Sequence, residues 1–164
     1  MYREVYEDPM RKGEPAPFEL PDWIACAPFE EYVGISIDEA GDGRAVLTMP
    51  FRVKLAQGKG YMHGGALTTL ADTAVAMAIK SILPEGSDFV TVEMGLKFLA
   101  PVRWGTVRAV ARALPGEGRK IHGEADLFDE EGTRVAAFTA LFVMRRGREN
   151  PTDAAEAAPR KDMK

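Results

Sequence analysis

The sequence has very little of the two residue types that build covalent or metal-held frameworks. Among its 164 residues there is one cysteine, Cys26, and there are two histidines, His63 and His122. One chain can therefore assemble neither a disulfide framework nor a Cys/His zinc site, and we expect no bound metal. This composition suits a reducing compartment, so the predicted location is cytoplasmic.

The sequence also lacks long apolar runs and a surplus of positive charge. No stretch approaches the ~18 apolar residues of a membrane span, and the start, MYREVYEDPMRK, has no apolar segment of the kind found in secretory signals. The formal net charge is -4 at pH 7, with mostly scattered basic residues. Phosphate backbones are bound mainly by concentrated Lys and Arg. We therefore expect no membrane partner and no nucleic-acid partner.

What is present is the composition of one globular domain with polar ends. Hydrophobic residues make up 46% and charged residues 28%, which is ordinary for a domain that folds without disulfides or a structural metal. Residues 1–20 contain Pro9, Pro15 and Pro17 among charges, and residues 147–164 read GRENPTDAAEAAPRKDMK. These features predict an N-terminal extension over 1–20, a domain over 21–146 and a disordered tail over 147–164.

Apolar periodicity predicts an α+β domain. A short helix is possible within 22–33, and residues 34–51 form a hairpin around the turn Gly41-Asp42-Gly43. Residues 64–83 are apolar at nearly every helical offset up to Pro84, which indicates one long buried helix. Four strands follow, in the stretches 89–99, 104–114, 120–129 and 133–144. The sequence thus predicts an antiparallel sheet that curls around a single helix.

The residue patterns of two of these strands allow more detailed predictions. In the first of the four, alternation places the apolar residues on the core face and Thr91 on the opposite face (apolar set: Val90, Val92, Met94, Leu96 and Phe98). In the last, both faces are apolar (Val135, Ala137, Leu141 and Val143 against Ala136, Phe138, Ala140 and Phe142). One helix covers only one face, so this pattern predicts a homo-oligomer.

The start of the long helix carries two adjacent glycines, Gly64 and Gly65. Without Cβ atoms the first-turn amides are uncovered, and they carry the positive end of the helix dipole. Such amides suit the oxyanion that develops at a carbonyl during acyl transfer. The alternative is that the glycines only permit a tight junction between the loop and the helix.

Asp72 and His63 also have two interpretations each. Asp72 lies inside an otherwise apolar helix, where a buried carboxylate with a raised pKa can act as base or nucleophile. It could instead belong to a solvated polar stripe with Thr68, Thr69 and Thr73. His63 could be a base, but a histidine just before a helix more often ties the loop by hydrogen bonds.

Other catalytic patterns are missing from the sequence. There is no Gly-x-Ser-x-Gly turn, and Cys26 has no chemistry around it, so a serine or cysteine acyl-enzyme is not expected. Neither a GxGxxG pattern nor a P-loop is present. The turn PGEGRK offers Arg119 and Lys120 as candidate contacts for a phosphate.

The stretch QGKGYMHGGALTTLADTA resembles the signature of the PaaI-like, 4-hydroxybenzoyl-CoA-type hotdog-fold acyl-CoA thioesterases. That family pattern consists of Asn or Gln, two residues, Gly, two residues and His-Gly-Gly. An acidic residue follows nine positions after the histidine. The matching residues are Gln57, Gly60, His63, Gly64, Gly65 and Asp72. The resemblance extends over about 30–145, because hairpin, helix and four strands follow the same order. It implies a hotdog fold, in which a curved antiparallel β-sheet wraps around one long central helix.

The resemblance also implies roles for individual residues. It places the thioester carbonyl on the Gly64 amide, with Gln57 near the carbonyl or water and Asp72 from the facing subunit as base or nucleophile. Thr91 matches a position where some members hold the water. Gly65, Gly60 and Met62 would bind substrate, with Arg119 and Lys120 near the CoA nucleotide. Apolar residues named for the acyl tunnel are Met62, Leu67, Leu70 and Phe98.

The function implied is hydrolysis of an aryl- or medium-chain acyl-CoA by a homodimer or dimer of dimers with its active site between subunits. The reaction needs no cofactor, since coenzyme A is part of the substrate. The alternative is a non-catalytic acyl-CoA binding or assembly module on the same fold. A hotdog dehydratase would place its histidine and acid differently from this helix start.

Overall fold

The computed structural model describes residues 9–145. Two α-helices and six strands form the fold, and Val53–Leu55 adds one turn of 3-10 helix. The elements in chain order are α1 Pro28–Val33, β1 Ser36–Gly41, β2 Arg44–Pro50, α2 Gly64–Lys80, β3 Phe89–Phe98, β4 Thr106–Pro115, β5 Lys120–Phe128 and β6 Arg134–Met144.

The six strands form one antiparallel sheet in the order β1-β2-β4-β5-β6-β3, and α2 packs against its concave side. The predicted α+β class and the hotdog arrangement are therefore confirmed. The predicted hairpin is also confirmed, with its turn at Asp42 and Gly43, both at positive φ. The short first helix begins later than the earliest position considered, at Pro28, where the fixed φ of proline suits a helix start.

The central helix is held by close contact with the sheet. Most of its residues are buried, among them Leu70, Ala71, Ala74, Val75, Ala78 and Ile79. Gly123 of β5 lies so near α2 that a Cβ there would come within 2.0 Å of Val75 Cγ1. At the other end of the helix, Trp23 Nε1 donates a 3.0 Å hydrogen bond to the Lys80 carbonyl. Both contacts fix the position of α2 along the sheet.

The predicted orientation of β3 is wrong for its first half, whereas Leu96 in its second half packs against the core as expected. Val90 and Val92, expected in the core, are 36% and 54% exposed, whereas Thr91 points toward α2. The register of β3 against β6 shifts between Thr91 and Glu93, which is a β-bulge. A bulge inserts an extra residue and so breaks strict alternation of the two faces.

The last strand, β6, matches its predicted pattern more closely. Ala136, Phe138, Ala140 and Phe142 are buried, while on the other face Val135 is buried, Ala137, Leu141 and Val143 are half-buried and Thr139 is exposed. β6 is covered on one edge by β5 and on the other by β3, which is the last strand of the sheet. Among residues 9–145, one edge of β3 has no partner strand, and this strand carries the exposed apolar side chains Val90, Val92, Met94 and Phe98.

The predicted ends of the chain are only partly described. Residues 9–20 form no helix or strand and are exposed. Residues 1–8 of the predicted extension and the predicted tail over 147–164 lie outside the described residues. The domain boundaries at 20/21 and 146/147 therefore stay predictions. Within 9–145, no helix combines the length and apolar character needed to cross a membrane.

Candidate active site

Asp72 lies in the middle of α2 and is half-buried. Its Oδ1 accepts a hydrogen bond from the Thr91 hydroxyl at 3.2 Å. The structure thus brings together two residues that the sequence pattern had placed on opposite sides of the sheet. The β3 bulge turns Thr91 toward the helix, and this explains the contact.

Burial raises the pKa of Asp72 above its usual range, because a carboxylate loses water when it is enclosed. The hydrogen bond from Thr91 opposes this by stabilising the ionised form. The negative charge of Glu30, on α1, raises the pKa further. Glu30 was not singled out in the sequence, where its visible signal is that of an N-terminal helix residue. In the structure its Oε2 accepts a 3.0 Å hydrogen bond from the Ala27 amide.

The start of α2 combines a capped amide with a free one. His63 is the N-cap, and its Nδ1 accepts a 2.8 Å hydrogen bond from the Gly65 amide. The Gly64 amide, by contrast, has no hydrogen-bond acceptor among residues 9–145. The cap supports the structural interpretation of His63, and the free amide is the one that the oxyanion interpretation requires.

An apolar pocket of about 410 Å³ opens beside this helix start. Its volume is at the low end for small-molecule sites, about 300–1,000 Å³. Of the four residues predicted for the acyl tunnel, Met62, Leu67 and Phe98 line this pocket, whereas Leu70 is fully buried in the core and does not. The full lining is Gln57, Tyr61, Met62, Gly64, Leu67, Phe98, Leu99, Ala100, Pro101 and Val102.

The loop before α2 holds Gln57 at this pocket. The Gln57 amide donates to the Tyr61 carbonyl at 2.8 Å, and the Gln57 side-chain oxygen accepts from the Lys59 amide. Gly60 closes the turn with a φ of 79°, a region that favours glycine. The Met62 amide donates to the Val102 carbonyl at 2.8 Å, so the loop is tied to the segment after β3.

The remaining predicted residues lie apart from this cluster. Asp72 follows Gly64 by more than two helical turns, which is ~12 Å along the helix axis. Arg119 and Lys120 are exposed at the end of the sheet where β5 begins, beside Met144, whereas Gly64 lies at the opposite end, beside Phe98. A single chain therefore does not gather all the predicted residues around one point.

The side chains that the structure describes include no group of three or more His, Cys, Asp or Glu residues placed to hold a metal ion. Cys26 is half-buried, and its sulfur contacts the Ile35 carbonyl at 3.6 Å. Burial raises the pKa of the Cys26 thiol, with Glu30 and Glu31 adding to the effect. A thiol in this setting is a poor nucleophile, in agreement with the sequence interpretation.

Comparison with known families gives a match over the helix start, α2 and strands β3 to β5, which reaches the first residues of β6. The model described as the thioesterase superfamily matches residues 59–136. The chain is 32% identical over 104 residues to the proofreading thioesterase EntH of Cronobacter turicensis. The aligned region covers 63% of this chain and 76% of that protein.

Solved structures show the same fold. Thioesterase HI1161 from Haemophilus influenzae superposes with a TM-score of 0.69 at 26% identity, covering 75% of this chain and 86% of that one. The E. coli PaaI protein from the phenylacetic acid degradation operon gives a TM-score of 0.67 at 27% identity, covering 74% of this chain and 86% of that one.

Proposed function

Since this chain belongs to the thioesterase superfamily, as a PaaI-like hotdog-fold thioester hydrolase, we propose that it hydrolyses aryl- or medium-chain acyl-CoA with Asp72 as base or nucleophile. One observation carries the proposal. The helix that presents a free Gly64 amide to an apolar pocket also holds a half-buried carboxylate hydrogen-bonded to Thr91.

The Gly64 amide is the proposed donor to the thioester carbonyl oxygen. Negative charge develops on that oxygen as the carbonyl is attacked, and an amide at a helix start stabilises it. Removal of one such donor raises the activation free energy by about 3–4 kcal/mol in the best-measured acyl-transfer sites. The acyl group then extends along Met62 and Leu67, while Gln57 lies near the carbonyl or the attacking water. Gly65 and Gly60 shape the backbone around the substrate.

Asp72 activates a water molecule, with Thr91 helping to hold it, or attacks the carbonyl directly. If Asp72 attacks directly, its carboxylate displaces the CoA thiolate to form a mixed anhydride, which water then cleaves. By either route the carbonyl–sulfur bond breaks, the hydroxyl of water ends on the acyl carbon and the proton goes to the CoA thiolate. The protein supplies both the amide that stabilises the oxyanion and the base, so the proposed reaction needs no metal and no cofactor beyond the CoA of the substrate.

The proposed site lies between two subunits of a homodimer or dimer of dimers. The ~12 Å between Gly64 and Asp72 of one chain is too long for both to reach one carbonyl. Antiparallel pairing of the free β3 edges of two copies would bring the Thr91 end of one strand toward the Phe98 end of the other. The same pairing would bring Arg119 and Lys120 of one copy toward Gly64 of the other, near the CoA phosphates.

Thiol release from a panel of aryl, short-, medium- and long-chain acyl-CoA esters tests this proposal. We expect Asp72→Asn and Asp72→Ala to reduce kcat by at least about a hundredfold, in line with the loss of a general base, while the oligomer stays folded. Asp38→Asn is the matched control, because Asp38 is an exposed aspartate that also accepts a threonine hydrogen bond at 3.2 Å, from Thr48. Its turnover should equal that of the wild type.

Two results would contradict the proposal. Unchanged kcat in both Asp72 variants would remove Asp72 from the mechanism. Tight binding of acyl-CoA with no thiol release from any ester would favour the non-catalytic acyl-CoA binding or assembly module instead.

A further inference from the structure

The ring of Phe98 lies directly against the first residue of α2. A Cβ built on Gly64 would come within 2.7 Å of Phe98 Cζ and 3.1 Å of Phe98 Cε1. Gly64 is therefore the residue that allows this close approach. The ring consequently flanks the amide that is proposed to hold the thioester carbonyl.

Phe98 also lines the outer side of the apolar pocket. The ring belongs to the pocket wall, yet the side chain is 60% exposed, whereas Met62 and Leu67 on the inner side are 4% and 3% exposed. Met62 and Leu67 are thus fixed in the core, whereas Phe98 is the exposed bulky side chain of the pocket lining. An acyl chain that starts at the Gly64 amide meets this ring early.

We propose that Phe98 limits the length of the acyl group that this site accepts. The inference rests on the proposed function, because it assumes that the acyl group occupies the pocket beside Gly64. A pocket of about 410 Å³ that includes a bulky ring in its lining accommodates a compact acyl group. Replacement of the ring by a methyl group would enlarge the pocket beside Gly64 and let a longer chain remain in apolar contact.

The experiment compares hexanoyl-CoA with dodecanoyl-CoA in the wild type, Phe98→Leu and Phe98→Ala. Each methylene newly buried strengthens binding about fourfold, so contact with two more methylenes raises the dodecanoyl-to-hexanoyl ratio of kcat/KM by about fifteenfold in Phe98→Ala. Phe98→Leu should give an intermediate ratio. Phe29→Ala is the matched control, because Phe29 is 59% exposed on α1 and does not line the pocket.

A purely structural role of Phe98 at the helix start would give a different result. Loss of support for Gly64 would lower kcat/KM for both esters by the same factor and leave their ratio unchanged. An unchanged ratio in Phe98→Ala would therefore overturn the proposal, as would a shift of the same size in Phe29→Ala.

Binding of the corresponding non-hydrolysable thioether analogues separates this inference from the proposed function. If the wild type releases no thiol but Phe98→Ala shifts the ratio of the two Kd values toward the longer chain, the proposed hydrolysis fails and the length limit stands. If the wild type hydrolyses esters and the Kd ratio does not move, the length limit fails alone. Failure to bind either analogue overturns both.

Discussion

The Thr91 hydroxyl donates a 3.2 Å hydrogen bond to Asp72, joining the edge strand β3 to the middle of the central helix. Burial raises the pKa of Asp72, and this hydrogen bond acts in the opposite direction. A hydrogen bond to the charged form of a carboxylate favours ionisation. Thr91 therefore helps to keep a partly enclosed carboxylate in the state that a base requires.

Thr91→Val should move the pH profile of the enzyme. The substitution keeps the shape of the side chain but removes the donor, so the pKa of Asp72 rises and less of it is ionised at a given acidic pH. We expect the acidic limb of kcat to shift to higher pH, with turnover recovering as the pH rises. Initial rates across a pH series check this.

Thr91→Ser is the control for that shift, because it retains a hydroxyl. Its acidic limb should stay close to that of the wild type. If the valine variant keeps the wild-type profile while remaining active, the hydrogen bond does not act on the ionisation of Asp72.

Asp72→Asn should stabilise the protein at neutral pH. Because the folded-state pKa of Asp72 is raised, the folded protein favours the protonated carboxyl. This contribution to stability is fully present below the unfolded pKa of about 3.9 and is lost as pH rises through the folded pKa. Asparagine stays neutral at every pH and can still accept from Thr91. The midpoint Tm of the variant should exceed that of the wild type at pH 7, by a few degrees at most.

The same difference in Tm should shrink as the pH falls toward the unfolded pKa, where the wild-type carboxyl is also protonated. Thermal melts of both proteins at several pH values measure this convergence. A variant less stable than the wild type at pH 7 would show that ionised Asp72 stabilises the fold, against the expected sign.

Much of the fold could be predicted because its signals are local. The run from Gly64 to Lys80 has helical periodicity, and the turn at Asp42 and Gly43 has the residue types that positive φ requires. The side-chain orientation in β3 could not be predicted. A bulge depends on pairing with β6, so strict alternation gave Val90 the wrong face.

The candidate site also contains features that local sequence predicts and features that depend on tertiary packing. The positions of His63, Gly64, Gly65 and Asp72 at the start of the helix and within it were sufficient to single them out, whereas Gln57 and Gly60 were identified only by the resemblance to the thioesterase signature. The contact of Phe98 with Gly64 and the influence of Glu30 on Asp72 arise from tertiary packing between different elements. Periodicity carries no information on such pairs.

Gly64→Ala should impair turnover more than stability. The new Cβ would lie 2.7 Å from the Phe98 ring, which must then move away from the helix start. The ring is 60% exposed and can rotate outward at modest cost, while alanine favours the helix by about 1 kcal/mol over glycine. We expect Tm to change by a few degrees at most, with a clear fall in kcat/KM, measured by melting and thiol release.

Gly58→Ala is the control for an added methyl group, since a Cβ at Gly58 meets nothing within 4 Å. It should match the wild type in both assays. The double variant Gly64→Ala/Phe98→Ala removes the clash. If kcat/KM for hexanoyl-CoA recovers in the double variant, the displaced ring was the cause; if it stays low, the Cβ itself hinders the approach of the carbonyl to the amide.

His63 should prove to act through the helix start rather than as a base. Its Nδ1 accepts from the Gly65 amide, so the proton of a neutral imidazole lies on Nε2 and leaves no free lone pair to accept another. His63→Ala should cost about 0.5–2 kcal/mol of unfolding free energy, as lost N-caps do, and should lower turnover by disturbing Gly64. Denaturant unfolding and thiol release measure the two effects.

His63→Asn distinguishes the two roles, because asparagine is among the best N-cap residues but cannot act as a general base near neutral pH. A capping role predicts that both stability and turnover return toward the wild-type values. Recovered stability with turnover as low as in His63→Ala would instead assign His63 to the chemistry. In that case the hydrogen bond from the Gly65 amide to His63 Nδ1 would have to break during catalysis. The Gly65 amide would then be free at the start of α2, in addition to the Gly64 amide.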